Sequence, residues 1–182
     1  MVDYAQYAMW GIPLWAFLLD CIIGDPRTGW HPVVLIGNTI SFFENILYFK
    51  SESNIKKFFF GTLTVIAVLG FVTGIGTIIL LIAYLGGVWG HVIINTVMLY
   101  ICITPRSLAE AGAEIAKLLR TKNLETARFK LSWIVGRDTQ DLDESEITRG
   151  AIETIAENTV DGIIAPIFYF ILFGPLGALI YR

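Results

Sequence analysis

The 47 residues from Phe58 to Thr104 contain no Asp, Glu, Lys or Arg. A bilayer core about 30 Å thick needs roughly 20 helical residues. The run is too long for one crossing and suits two joined by a tight turn, for which Gly86-Gly87 is the natural place. A soluble pair of core helices would show a polar face, and none is present here. Apolar residues make up 55% of the chain and charged residues 16%, against roughly 25% charged in an average soluble protein. The sequence reads as an integral membrane protein.

Two further spans flank this run. Residues 4–24 are apolar apart from Gln6 and Asp20, and carry Pro13 and the aromatics Tyr4, Tyr7, Trp10 and Trp15. No basic segment precedes them and no small-residue cleavage site follows, unlike a removable signal peptide. Residues 163–181 contain Pro166 and Pro175, which predicts a kinked or broken helix. The expected fold is an all-α polytopic membrane protein of about four transmembrane helices, spans 4–24, 58–82, 86–104 and 163–181. Short amphipathic helices occupy the polar segments 25–57 and 105–162.

Of the 13 Lys and Arg, four (Arg27, Lys50, Lys56, Lys57) fall in the first polar segment and eight, Arg106 through Arg149, in the second; Arg182 stands apart. The positive-inside rule then makes both polar segments cytoplasmic and places the chain in the cell membrane. A net charge of −3 gives no reason to expect nucleic acid. Cys21 and Cys102 lack metal-ligand spacing and read as apolar filler.

In the first polar segment, Gly24-Asp25-Pro26 reads as a turn and His31-Pro32 as a second breaker before an amphipathic stretch, Val33 to Tyr48. The second segment has three helical patterns. Thr104 and Pro105 open one that buries Leu108, Ala111, Ile115, Leu118 and Leu119, and Lys122-Asn123 ends it. The next, Leu124 to Val135, buries Leu124, Ala127, Leu131 and Ile134. Asp143 and Glu146 have capping-box spacing for the third, which runs to about Thr159 with Ile147, Ala151 and Ile155 on its apolar side. Together they form a small bundle or lie on the bilayer.

Arg149, Glu153 and Glu157 recur one turn apart, and Asp161 extends the row if the helix continues. Such carboxylates can hold Mg²⁺, which keeps several waters and bridges substrate phosphates; a solvated helix face fits the same spacing. Polarity persists through Asn158, Thr159 and Asp161 to the membrane boundary, where carboxylates are costly unless they face water or partners. "VGRDT" (Val135–Thr139) places a guanidinium, a carboxylate and a hydroxyl in an interhelical turn. Arg137 can fork onto phosphate, or the segment is a helix stop with Asp138 or Thr139 as a local cap. No Walker loop or GxGxxG is present. Asp20, inside the first span, is a functional candidate or a side chain reaching the headgroups.

"LLDCIIGDPRTGWHPVVLIG", "SLAEAGAEIAKLL" and "ARFKLSWIVGRDTQDLDESEITRGAIETIAENTVDGIIAP" together resemble, in order and over nearly the whole chain, the cobinamide-phosphate synthases of cobalamin biosynthesis. The resemblance implies an amide-forming ligase that joins adenosylcobyric acid, a corrinoid, to (R)-1-amino-2-propanol or its phosphate, with ATP and Mg²⁺. It points to Asp25, His31, Arg137, Asp138, Glu153, Glu157, Asn158 and Asp161. Residue chemistry then assigns Glu153, Glu157 and Asp161 to Mg²⁺ and Arg137 to phosphate, with Asp138 beside it. Asn158 orients substrate, and Asp25, His31, Thr139 and Thr159 complete the pocket. Implied partners are the corrinoid, the amino alcohol, the lipid bilayer, and a second copy or other cobalamin-pathway proteins. The family's C-terminal part, with further polar groups for the same pocket, is expected beyond Arg182. Two other classes fit the residues less fully. A transporter suits the broken helices but lacks an inverted repeat, and a non-catalytic membrane sensor leaves VGRDT and ENTVDG unused.

Overall fold

The computed structural model describes residues 10–25, 32–47 and 54–182, and every regular element among them is helical. His31 and the start of the expected first span lie outside these residues. Helix α1 covers Ile12–Ile23, α2 Pro32–Leu47, α3 Asn54–Leu85 and α4 Gly87–Tyr100. Helices α5 (Pro105–Arg120), α6 (Leu124–Ser132) and α7 (Glu144–Thr159) follow, then a π-helical turn at Val160–Ile164 and α8 (Ala165–Tyr181).

Helix α3 shows apolar side chains all round, with Ile66, Leu81 and Leu85 exposed. Such a surface is stable only against lipid or other protein. Three helical runs, Asn54–Leu85, Gly87–Arg120 and Glu144–Tyr181, are long and apolar enough to cross a membrane, and α1 is a shorter apolar helix. The expected turn falls at Gly86, and Gly87 takes the left-handed φ of 65° that a side chain would resist. Helix α2 lies along α3, where the Phe43 and Phe71 rings meet edge to face at 6.3 Å.

Two separate cores hold the chain together. In the first, Ile12 and Ala16 of α1 meet Val92 and Leu99 of α4 and Ala178 of α8. In the second, Ile115, Ala127, Leu131, Ile147 and Ala151 close α5, α6 and α7 into a three-helix bundle. The polar segment thus buries one set of apolar faces internally, while Phe129, Trp133 and Ile152 stay exposed. Full burial of a Leu or Ile contributes about 1.5–3 kcal/mol. Asp143 and Glu146 form the expected capping box, at 2.8 and 2.9 Å. Cys21 and Cys102 are both free thiols.

Two boundaries differ from expectation, and the expected break in segment 163–181 is sharper than a kink. Helix α6 stops at Ser132 rather than running to Val135, and the chain turns into Gly136. Thr104 occupies the position before α5, but its side chain makes no capping hydrogen bond; Asp20 of α1 caps that helix instead. The apolar segment 163–181 also turns back on itself. Gly174 adopts φ 69°, ψ −166°, and Pro175 then supplies no N–H to continue the ladder. Tyr169 and Tyr181 stack at 4.7 Å, where a straight helix would hold them about 18 Å apart.

Candidate functional site

The turn after α6 and the end of α7 enclose a depression of about 420 Å³, bordered by Val135, Gly136, Arg137, Glu153, Glu157, Asn158 and Asp161. Arg137 is the cation of this depression, and α7 makes room for it. A Cβ at Gly150 would lie 2.7 Å from Arg137 Nη2 and 3.4 Å from Leu131 Cδ2. A side chain there would make the guanidinium shift from its place across the helix. Arg137 Nη2 is then 3.5 Å from Glu153 Oε2, while Arg149 Nε approaches the other oxygen at 3.7 Å. All three side chains are about half exposed or more, so these pairs are worth about 0–1 kcal/mol each and release readily.

Glu157 is exposed and makes no hydrogen bond or ion pair among the described residues. Asn158 donates one N–H to Thr154 O at 2.9 Å. The π-turn interrupts the carboxylate row at this point. An α-helix would stack Asp161 one turn beyond Glu157; the wider turn re-aims it, and Asp161 Oδ1 accepts the Tyr181 hydroxyl at 3.4 Å. Among the described residues no group of three or more His, Cys, Asp or Glu is placed to hold a metal ion. Glu153, Glu157 and Asp161 therefore do not form a ready three-carboxylate site, since Glu153 faces two guanidiniums. Mg²⁺ held mainly through substrate phosphates needs only one or two carboxylates, and Glu157 and Asp161 both border the depression.

The remaining candidates divide. Asp138 and Thr139 border a neighbouring depression of about 440 Å³ that shares Arg137. Asp138 Oδ1 accepts Gln140 N–H at 3.0 Å and the buried Thr139 donates to Arg128 O at 2.9 Å, which keeps the VGRDT turn rigid. Thr159 donates to Ile155 O within its helix.

Asp25 belongs to a second polar centre at the end of α1. There Asp20, only 1% exposed, accepts Arg106 N–H at 2.7 Å through Oδ2, while its Oδ1 has no hydrogen-bond partner among the described residues. Arg106 Nη1 donates to Ile22 O at 2.8 Å and Tyr100 Oη to Gly24 O at 2.6 Å. The Glu110 side chain, 2.7 Å from Arg106 Nε, holds that guanidinium still more firmly in its charged form. Asp20 is therefore a buried helix cap and does not reach toward headgroups. The turn after α4 also touches the first centre, since Thr104 N–H donates to Gly162 O at 3.2 Å.

A family model described as CobD/Cbib protein matches residues 13–182. The chain belongs to this family. It is 43% identical over 170 residues to a cobalamin biosynthesis protein CobD of Halalkalibacterium halodurans, covering 92% of the chain and 51% of that relative. It is 40% identical over 167 residues to a cobalamin biosynthesis protein CbiB of Salmonella paratyphi B, covering 92% of the chain and 52% of the relative. The chain spans about half the length of the curated relatives it matches. No solved structure matches it. Both polar centres of this CobD/Cbib chain fall within the matched residues. Gly150, Arg106 and Tyr181 are parts of them that residue spacing left unmarked; Gly150 carries no chemistry of its own, and only the packed turn reveals what it admits.

Proposed function

We propose that the Arg137 depression is the reaction site of an adenosylcobinamide-phosphate synthase working in cobalamin biosynthesis. The reaction is ATP-dependent amide formation between the carboxylate of adenosylcobyric acid and (R)-1-amino-2-propanol or its O-phosphate. The observation that carries this reading is the placement of Arg137, seated on Gly150, beside Asn158 and the uncommitted Glu157. Family membership and the names of the relatives support the pathway.

A free carboxylate and an amine do not condense to a useful extent, so the acid is first activated. A carboxylate oxygen attacks the γ-phosphorus of ATP and ADP leaves. The amine then attacks the acyl carbon, inorganic phosphate leaves, and the nitrogen loses its proton. Arg137 forks onto the phosphoryl oxygens and offsets their charge. Glu157 lies within the same depression as a metal-binding candidate, the amine proton passes to water, and Asn158 orients the substrate amide or carboxylate edge. Mg²⁺, where bound, neutralises the triphosphate; Glu157 and Asp161 are the groups that would hold it. Asp25, at the second polar centre, is the candidate substrate contact from the first polar segment; His31, the other candidate, lies outside the described residues. By the positive-inside rule both polar segments face the cytoplasm, where ATP is found, and a second copy or another cobalamin-pathway protein is the proposed partner.

The test supplies membranes containing the protein with cobyric acid, ATP, Mg²⁺ and aminopropanol phosphate and looks for the amide by mass. Complementation of a strain blocked at this step needs less purification. Arg137→Ala and Glu157→Ala should each abolish product while inserting normally, and near-normal turnover in either refutes the assignment.

A further inference from the structure

The turn between α4 and α5 is held from two sides, and each attachment has a cause in the sequence. Helix α5 begins with Pro105, which has no N–H, and the Thr104 side chain does not cap it. The first donor left to satisfy is Arg106 N–H, which Asp20 Oδ2 takes. On the other side, Gly162 O lacks its α-helical donor, because the residue four positions on is Pro166. Thr104 N–H fills that vacancy from outside the helix. The approach is close, since a Cβ on Gly162 would stand 3.1 Å from Thr104 Oγ1. Gly162 lies in the middle of the π-turn, directly after Asp161.

We propose that Asp20 is a positioning residue for the Arg137 depression. By fixing Arg106 N–H it sets Thr104 against Gly162 O, and so sets where the π-turn presents Asp161. The positioning role rests on reading that depression as the reaction site; the mechanical link does not. Burying a carboxylate at a helix N-terminus is favourable only when it is used there. Asp20 is buried with one oxygen unpartnered among the described residues, so its contribution is concentrated in the single bond to α5.

Residue-resolved hydrogen exchange on the full chain in lipid nanodiscs tests the link without activity. In Asp20→Ala the amides of Arg106, Thr104 and residues 160–164 should all exchange at least tenfold faster, while Leu131 and Ile147 in the bundle core stay protected. Asp20→Asn keeps an oxygen acceptor and should restore protection. Faster exchange at Arg106 alone overturns the proposal, and so does equal loss in the bundle core, which would make the role one of general stability. Should Asp20→Ala not accumulate, Asp20→Glu carries the same test, because it moves the acceptor by one methylene. Loosening at Arg106 that stops short of Thr104 and residues 160–164 overturns the link there too. Kinetically, Asp20→Ala should lower kcat about tenfold, a loss expected from a misplaced active-site group, with little change in the KM for ATP. Asp20→Asn should recover it, and an unchanged kcat refutes the positioning role. A wild-type protein that shows the exchange pattern but forms no amide keeps the link and refutes the proposed reaction.

Discussion

Asp20 and Glu157 are both carboxylates at the polar end of an apolar helical run, and their surroundings are opposite. Asp20 is 1% exposed and bonded to a backbone amide of another helix. Glu157 is exposed and has no partner among the described residues. An acid near a membrane boundary therefore has two distinct uses: one joins the membrane helices to the polar bundle, and the other stays available to a ligand. What separates them is which polar donors already face the group.

The largest break in this contrast should come from the open side. Arg137→Ala is expected to lower turnover at least about 100-fold, the range seen when one charge-stabilising donor is removed, as read by amide formation with insertion unchanged. Gly150→Ala should be next. Its Cβ would meet Arg137 Nη2 at 2.7 Å and push the guanidinium aside, which costs on the order of 10- to 100-fold in turnover. A fully active Gly150→Ala protein would show that Arg137 needs no such seat. On the closed side, Asp20→Ala should lower turnover about tenfold and cost about 0.5–2 kcal/mol for the lost cap, the latter measured by denaturation in detergent. Smallest is Lys122→Ala, which removes the exposed pair with Glu144 at 2.7 Å. It should change stability by no more than about 1 kcal/mol and leave turnover untouched.

The uncharged run from Phe58 made the membrane class and the α3–α4 hairpin legible, and the periodicity of Ile115, Leu131 and Ile147 did the same for the bundle core. The capping box at Asp143 was equally readable, because it is a local pattern. Features that depend on distant segments were not. Thr104 looks like the cap of α5 until Asp20, far away in the chain, is seen to occupy that role. Likewise Glu153, Glu157 and Asp161 form a metal row only if the helix stays α, and the π-turn re-aims the third. The proline four residues after Gly162 was a local sign that the ladder would change there. Nothing local marked Gly150, whose importance is the space it leaves for a side chain from a different helix.

The reversal at Gly174 also changes how charge is distributed across the bilayer. From Ala165 to Gly174 the helix descends about 14 Å, near half of a hydrocarbon core of roughly 30 Å, and the chain then returns until Tyr181 meets Asp161. Arg182, the one basic residue that stood apart in the sequence, thus comes back to the side that carries the bundle. A guanidinium that stays on its own side does no work against the membrane voltage, which would otherwise oppose or favour its transfer by about 2.3 kcal/mol per 100 mV.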